Sequence, residues 1–170
     1  VYVQSGQQTI ADYTAGANSS SHLYRYVYAI DNGGPVLRHQ RTGGIDVYYH
    51  SNEQYSVFAL TNSSGTILER YAYTAYGTPT ITNATGTVLT SSAHNNRYTY
   101  TGREWDDTLK QYHYRARMYD PALGRFCSKD PIGDVDGSNC YQLGTSDVLE
   151  GTDPSGLLKG QRTPIRPPKR

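Results

Sequence analysis

"LYRYVYAIDNGGPVLRHQ" (23–40) decides the fold. In its first six residues Tyr24, Tyr26 and Tyr28 alternate with Leu23, Arg25 and Val27, the period of a strand whose successive side chains face opposite ways. "DNGG" (31–34) supplies residues that accept the positive φ of a tight turn, and "VLRHQ" (36–40) leads back. The stretch is predicted to be a β-hairpin.

The same alternation continues downstream. "IDVYYH" (45–50) and "YSVFALTN" (55–62) read as strands, "SSG" (63–65) as a tight turn and "TILERYAYTAYG" (66–77) as the strand that answers it. "TPTITNATGTVLTSS" (78–92), rich in Thr, Ser, Asn and Gly, reads as a short hairpin or loop. "RYTYTGREW" (97–105), "QYHYRARMYD" (111–120) and "GRFCS" (124–128) complete the series. Strands recur roughly every 8–12 residues and no long 3.6-residue period competes with them, so the predicted fold is mostly β with little helix. A unit of Tyr-x-Tyr followed by Gly or Asp-x-x-Gly repeats as "YRYVYAIDNGG", "ERYAYTAYG", "RYTYTG" and "YHYRARMYDPALG". Such hairpins cannot each bury a face alone. They are expected to stack as one antiparallel sheet, which in a long enough strip twists and curls into a spiral.

The composition suits that architecture. Only 36% of the 170 residues are hydrophobic and mean hydropathy is −0.69, yet there are 17 Tyr against 2 Phe, 1 Trp and 1 Met. Burial must therefore come largely from tyrosine, whose ring is apolar and whose hydroxyl needs a partner or water. Sixteen basic and 15 acidic residues leave a net charge of +1, too weak a field to argue for nucleic acid or an anionic membrane. No run of 18 apolar residues suggests membrane insertion, and the start lacks the charged-then-apolar pattern of a secretion signal. The chain opens on Val1, as a processed or excised piece of something longer would. Cys127 and Cys140, thirteen positions apart, fit no zinc pattern, and no metal or cofactor is expected. One bridge and two separate small buried residues both remain open.

"RYAYTAYGTP", then "YTYTGREWDDTLKQYHYRARMYDPALGRFCSKDPIG", then "NCYQLGTSDVLEGTDPSGL" resemble the C-terminal core of the YD-repeat, or Rhs (rearrangement hotspot), family. That family includes bacterial polymorphic toxins and the C components of insecticidal toxin complexes, and is similar to the animal teneurins. The resemblance runs from about residue 20 to 157 and is most specific over 97–133. It implies a β shell enclosing a C-terminal effector, with the core-associated segment curling inward as a plug. On this basis 1–93 is expected to form the YD-repeat sheet, 94–157 the core-associated segment and 158–170 a basic, Pro-rich disordered tail. The expected setting is secreted or at a bacterial cell surface. Expected partners are the chain's own upstream repeats and an effector, with secretion machinery, an immunity protein or carbohydrate as further candidates.

In the family the end of the core often acts as an intramolecular aspartyl protease that cuts just after Asp-Pro-x-Gly-Leu. Here "DPIG" (130–133) and "DPSGL" (153–157) supply the motifs, so the resemblance implies a catalytic pair of Asp130 and Asp153, Arg125 of "GRF" as electrostatic helper, and a cut between Leu157 and Leu158. Peptide hydrolysis by carboxylates needs one ionised group to activate water and one protonated group to polarise the carbonyl, which two neighbouring carboxylates supply by sharing a proton. A guanidinium would steady the developing charge.

The same residues admit a plainer reading. Asp-Pro-x-Gly is also an ordinary turn, as in the third Asp-Pro at Asp120, and Arg115, Arg117 and Arg125 at near-alternate positions suit a ladder against carboxylates and tyrosines. Relatives usually carry His-Leu-Gly-Ser before "VFALTN", where this chain has "NEQYS" and lacks a turn glycine. "CSKDP" and "GTSDVLEG" also depart from the family pattern, beside the expected site. Three classes of function stay open: a shell segment that cuts itself, an extracellular surface binding glycan or protein through its tyrosines, and an inactive remnant with open sheet edges.

Overall fold

The computed structural model describes residues 1–16, 21–29, 34–131, 139–143, 151–152, 156–157 and 161–162. The chain divides into two units, residues 1–73 with 79–104, and 74–78 with 105–170.

The first unit is built on a nine-stranded antiparallel sheet whose spatial order is its chain order: β1 Tyr2–Ser5, β2 Gln8–Tyr13, β3 His22–Tyr28, β4 Pro35–Gln40, β5 Ile45–Ser51, β6 Val57–Thr61, β7 Ile67–Tyr73, β8 Pro79–Asn83 and β9 Val88–Leu89. The predicted 23–40 hairpin is the β3–β4 pair, in register from Tyr24 opposite Gln40 to Val27 opposite Leu37. Residues 31–33 of its turn lie outside the described residues. Of the hairpin or loop expected at 78–92, the structure forms the hairpin, β8–β9. Strands β1 and β2 extend the sheet upstream of the stretch read as strand from sequence.

Hairpin geometry comes from one recurring turn. Asn52, Asn62 and Asn83 each accept, on their side-chain Oδ1, backbone N–H groups two and four residues on, at 2.9–3.0 Å. Each also has its own carbonyl bonded by the N–H three residues on, from Tyr55, Gly65 and Gly86, all at positive φ. The turn at Thr74 makes the same backbone bonds, with Gly77 in the left-handed place. An Asx side chain thus replaces ladder bonds that the turn interrupts, and the left-handed residue matches the twist of the strands.

One sheet face carries the core, where Tyr26, Val47, Tyr49, Val57, Leu60, Tyr71, Ile81 and Tyr98 pack together. Residues 92–104 cross this face as a strap. Glu69, fully buried, receives hydrogen bonds from Tyr71 Oη, Ser92 Oγ and the Ala93 N–H. Arg38 donates to the carbonyls of His94 and Asn95, and the Val57 N–H to that of Thr99. Arg97 forks onto Asp12 at 2.8 and 3.1 Å, with Tyr26 Oη on the same carboxylate. Arg38, Glu69, Asp12 and Arg97 are thus each paired or multiply bonded, as their removal from water demands.

The expected strand at 97–105 is different. Tyr98 bridges to Glu104 across a 3-10 turn at Tyr100–Gly102, because Thr101 and Gly102 take φ of 48° and 67° and reverse the chain. The other end of Glu104 opens β10 (Glu104–Asp106), first strand of a four-stranded sheet that continues with β11 Gln111–Tyr114, β12 Arg117–Asp120 and β13 Arg125–Phe126. The expected single strand 111–120 is therefore two. Arg115 at φ 61° turns the chain within two residues, so that Tyr114 faces Arg117 and Tyr112 faces Tyr119.

In the second unit the core is aromatic. Tyr112, Tyr114, Tyr119 and Phe126 are wholly buried, in edge-on or tilted contacts with ring centroids 5.4–6.5 Å apart. The Tyr112 and Tyr119 hydroxyls donate to the carbonyls of Gly77 and Tyr76. The predicted turn role of Asp120 is realised: its carboxylate accepts the N–H groups of Ala122 and Leu123. A short pair, β14 (Gly151–Thr152) with β15 (Gln161–Arg162), is antiparallel, and the rest of 158–170 lies outside the described residues.

Candidate functional site

The site is assembled on β12 and the chain that follows β13. Register across the Asp120 turn sets Tyr119 opposite Phe126 and Asp120 opposite Arg125. Side chains alternate along a strand, so Arg117 shares the inward face with Tyr119 and Phe126, while Arg125 falls on the other face with Asp120.

Arg117 is accordingly buried, its guanidinium 3.6 Å from the Phe126 ring centroid. Among the described residues its polar edge meets three acceptors. Nη2 meets Asp130 Oδ2 at 3.0 Å, with the two side chains only 1% and 8% exposed. Nη1 donates to the Cys140 carbonyl at 3.1 Å, and Nε donates to the Gly156 carbonyl. The Asp130 N–H also bonds the Cys140 carbonyl, at 3.0 Å. Guanidinium suits this place because it carries a fixed fork of donors and stacks on an aromatic face, which an ammonium does not do.

Gly156 reaches this position because it lacks a side chain. Its φ is +70°, and a Cβ there would stand 2.3 Å from the Tyr114 carbonyl oxygen. The peptide that Arg117 holds is the one immediately before Leu157.

Of the residues expected from sequence, Asp130 is linked through the Arg117 guanidinium to the Gly156 carbonyl. Arg125 is exposed, its guanidinium 5.8 Å from the Tyr141 ring. The guanidinium on Asp130 is that of Arg117, a residue that strand alternation alone assigns to an arginine ladder. Asp153 and Leu158 lie outside the described residues. The signal for Arg117 was present in the sequence: folding "MYDPALGRF" as a hairpin puts 119 against 126 and turns 117 inward, 125 outward.

Cys127 is exposed and Cys140 buried, both as thiols. Partial burial and the Asp120 carboxylate push the Cys127 thiol pKa up, against the opposing pull of Arg125. Among the described residues no cluster of three His, Cys, Asp or Glu side chains could hold a metal ion, and no helix is long and apolar enough to cross a membrane.

No family model matches the chain. Over 133 residues it is 35% identical to the tRNA3(Ser)-specific nuclease WapA of Bacillus spizizenii, a match covering 76% of this chain and 5% of that protein. Over 126 residues it is 32% identical to toxin subunit YenC2 of Yersinia entomophaga, covering 70% of this chain and 13% of that one. Its structure is similar to that of a chain in the crystal structure of TcdB2-TccC3, with a TM-score of 0.62 and 26% identity, over 83% of this chain and 7% of the other. The chain thus spans a small share of the length of these proteins. Sequence and fold agree on one assignment: the chain belongs to the YD-repeat, or Rhs, family.

Proposed function

We propose that this chain is the terminal segment of a secreted Rhs shell that encloses a C-terminal effector, and that it cuts its own backbone between Leu157 and Leu158. The observation that carries the cleavage reading is the buried guanidinium of Arg117, bonded at once to Asp130 and to the carbonyl one peptide before the cut. In this reading one carboxylate of the Asp130 and Asp153 pair takes a proton from water. The hydroxide attacks the Leu157 carbonyl carbon while the protonated partner polarises its oxygen. The C–N bond to Leu158 then breaks and its nitrogen leaves protonated. Arg117 takes the electrostatic role expected of Arg125, holding both the carboxylate and the substrate strand in place.

The toxin-related relatives support the shell reading, whose partners are upstream repeats on the sheet edge and an effector after the cut. The test is the intact mass of the purified chain beside Asp130→Asn, Asp153→Asn and Arg117→Lys. Loss of 158–170 from the parent is expected, with both Asn variants whole and the Lys variant slowed at least about tenfold. An uncut parent, or Asn variants that cut at the parental rate, would overturn the cleavage reading and leave those Asp-Pro pairs as turns.

A further inference from the structure

The face of the second sheet that turns away from its aromatic core carries a row of three side chains suited to a soft metal ion. Met118 is opposite His113 in the β11–β12 register. The Cys127 N–H bonds the Met118 carbonyl at 2.8 Å, which continues the β12–β13 register of Tyr119 opposite Phe126 and puts Cys127 across from Met118 on its other side. Alternation gives all three the same face. Their strand neighbours Tyr112, Tyr114, Tyr119 and Phe126 are wholly buried, whereas His113 and Cys127 are exposed and Met118 is half-buried. Adjacent strands run about 4.7–4.9 Å apart, so imidazole and thiol flank the thioether from either side. His113, Met118 and Cys127 line one groove of about 340 Å³, together with Arg115 and Ser128.

We infer that this row binds a single copper(I) ion, with the Cys127 thiolate, a His113 ring nitrogen and the Met118 thioether as ligands. The donor set selects the ion. Thiolate and thioether are soft ligands, and imidazole accepts copper as well as zinc. A structural zinc site asks for four donors drawn from thiolate, imidazole and carboxylate, of which the row supplies two. Copper(I), a closed-shell ion content with few ligands, is served by two or three soft donors in line. Charge favours the same choice. The Arg115 guanidinium at the groove repels cations, a monovalent ion meets half the repulsion of a divalent one, and on the thiolate it forms a neutral unit. On binding, the Cys127 thiol releases its proton and a sulfur lone pair forms the bond to copper. One Cu⁺ replaces one H⁺, no electron is transferred and copper keeps its oxidation state.

The test is anaerobic competition between the purified, reduced chain and bicinchoninate for copper(I), read from the loss of the coloured copper–bicinchoninate complex. One equivalent of copper(I) per chain is expected to transfer. Cys127→Ser should abolish the transfer, and Met118→Leu and His113→Gln should each weaken binding at least about tenfold. Leucine keeps the apolar volume of Met118, so a loss there is a loss of sulfur and not of packing. Cys140→Ser removes the buried thiol and should bind as the parent does. A parent that takes up no copper, transfer that survives Cys127→Ser, or either Met118→Leu or His113→Gln binding as tightly as the parent would overturn the inference. Zinc(II) that displaces the bound copper(I) at equal concentration would overturn it too. Copper transfer is scored whether or not the chain cuts after Leu157, so the two readings fail separately.

Discussion

At Tyr55 a bulky residue occupies the left-handed place that Gly65, Gly77 and Gly86 hold in the other turns, at φ 63°. Left-handed backbone costs an L-residue with a Cβ about 1–2 kcal/mol, part of which glycine gives back through the entropy of the unfolded chain. Tyr55→Gly should therefore stabilise the first unit by roughly 0.5–1 kcal/mol, read as a shift in urea midpoint with unchanged slope. Tyr55→Ala keeps the Cβ and should bring no gain. A stabilising alanine would mean that the tyrosine ring, and not the backbone, is the burden. The anomaly is visible in the sequence, since "NEQYS" has no glycine where the chain's other turns have one, and Asn52 still closes the turn through its side chain. Legibility failed at Arg117 for a related reason. Alternation along single strands does not give the register across the Asp120 turn, and that register decides which arginine faces inward.

Elements were legible where the pattern was local. The alternation at 23–28 and the turn residues of "DNGG" and "SSG" predicted the hairpins because a two-residue period and a turn residue suffice for them. The strand readings at 97–105 and 111–120 failed where a non-glycine residue took positive φ, Thr101 in one and Arg115 in the other, which composition does not announce. The seating of 156–157 is a third feature set by distant contacts, and it is testable. In Gly156→Ala the added Cβ would meet the Tyr114 carbonyl at 2.3 Å, a backbone atom that cannot swing aside, while the residue holds φ +70°. The segment must lift off Arg117. We expect the second unit to lose about 2–4 kcal/mol, together with any cleavage after Leu157. A variant with the parental melting temperature would show that Gly156 is not seated against Tyr114. Arg97→Met makes the matching test of the strap, because it strands Asp12 in a buried site and should cost the first unit about 3–5 kcal/mol.

Across the whole chain the choice of tyrosine over aliphatic residues has a consequence in pH. Burial raises the pKa of Tyr26, Tyr49, Tyr71, Tyr98 and Tyr100 above the usual 10.0, and that of Tyr28 to about 12. For Tyr71 the Glu69 carboxylate adds to the rise, and for Tyr98 the Glu104 carboxylate does so. A phenol whose folded pKa lies above its unfolded one binds its proton longer in the native state. Its contribution is complete below pH 10, where both states are protonated, and is lost as pH climbs from 10 toward the folded value. In that window each such tyrosine withdraws about 1.4 kcal/mol per pH unit. Several acting together exceed the whole stability of an ordinary domain within roughly one to two pH units. The first unit should thus unfold cooperatively between about pH 10 and 12. Absorbance of tyrosinate from these buried rings should rise steeply, coincident with loss of the β circular dichroism signal. A smooth titration of all tyrosines around pH 10, with the sheet intact, would mean that their hydroxyls are reached by water and that the rings wall the surface without forming the core.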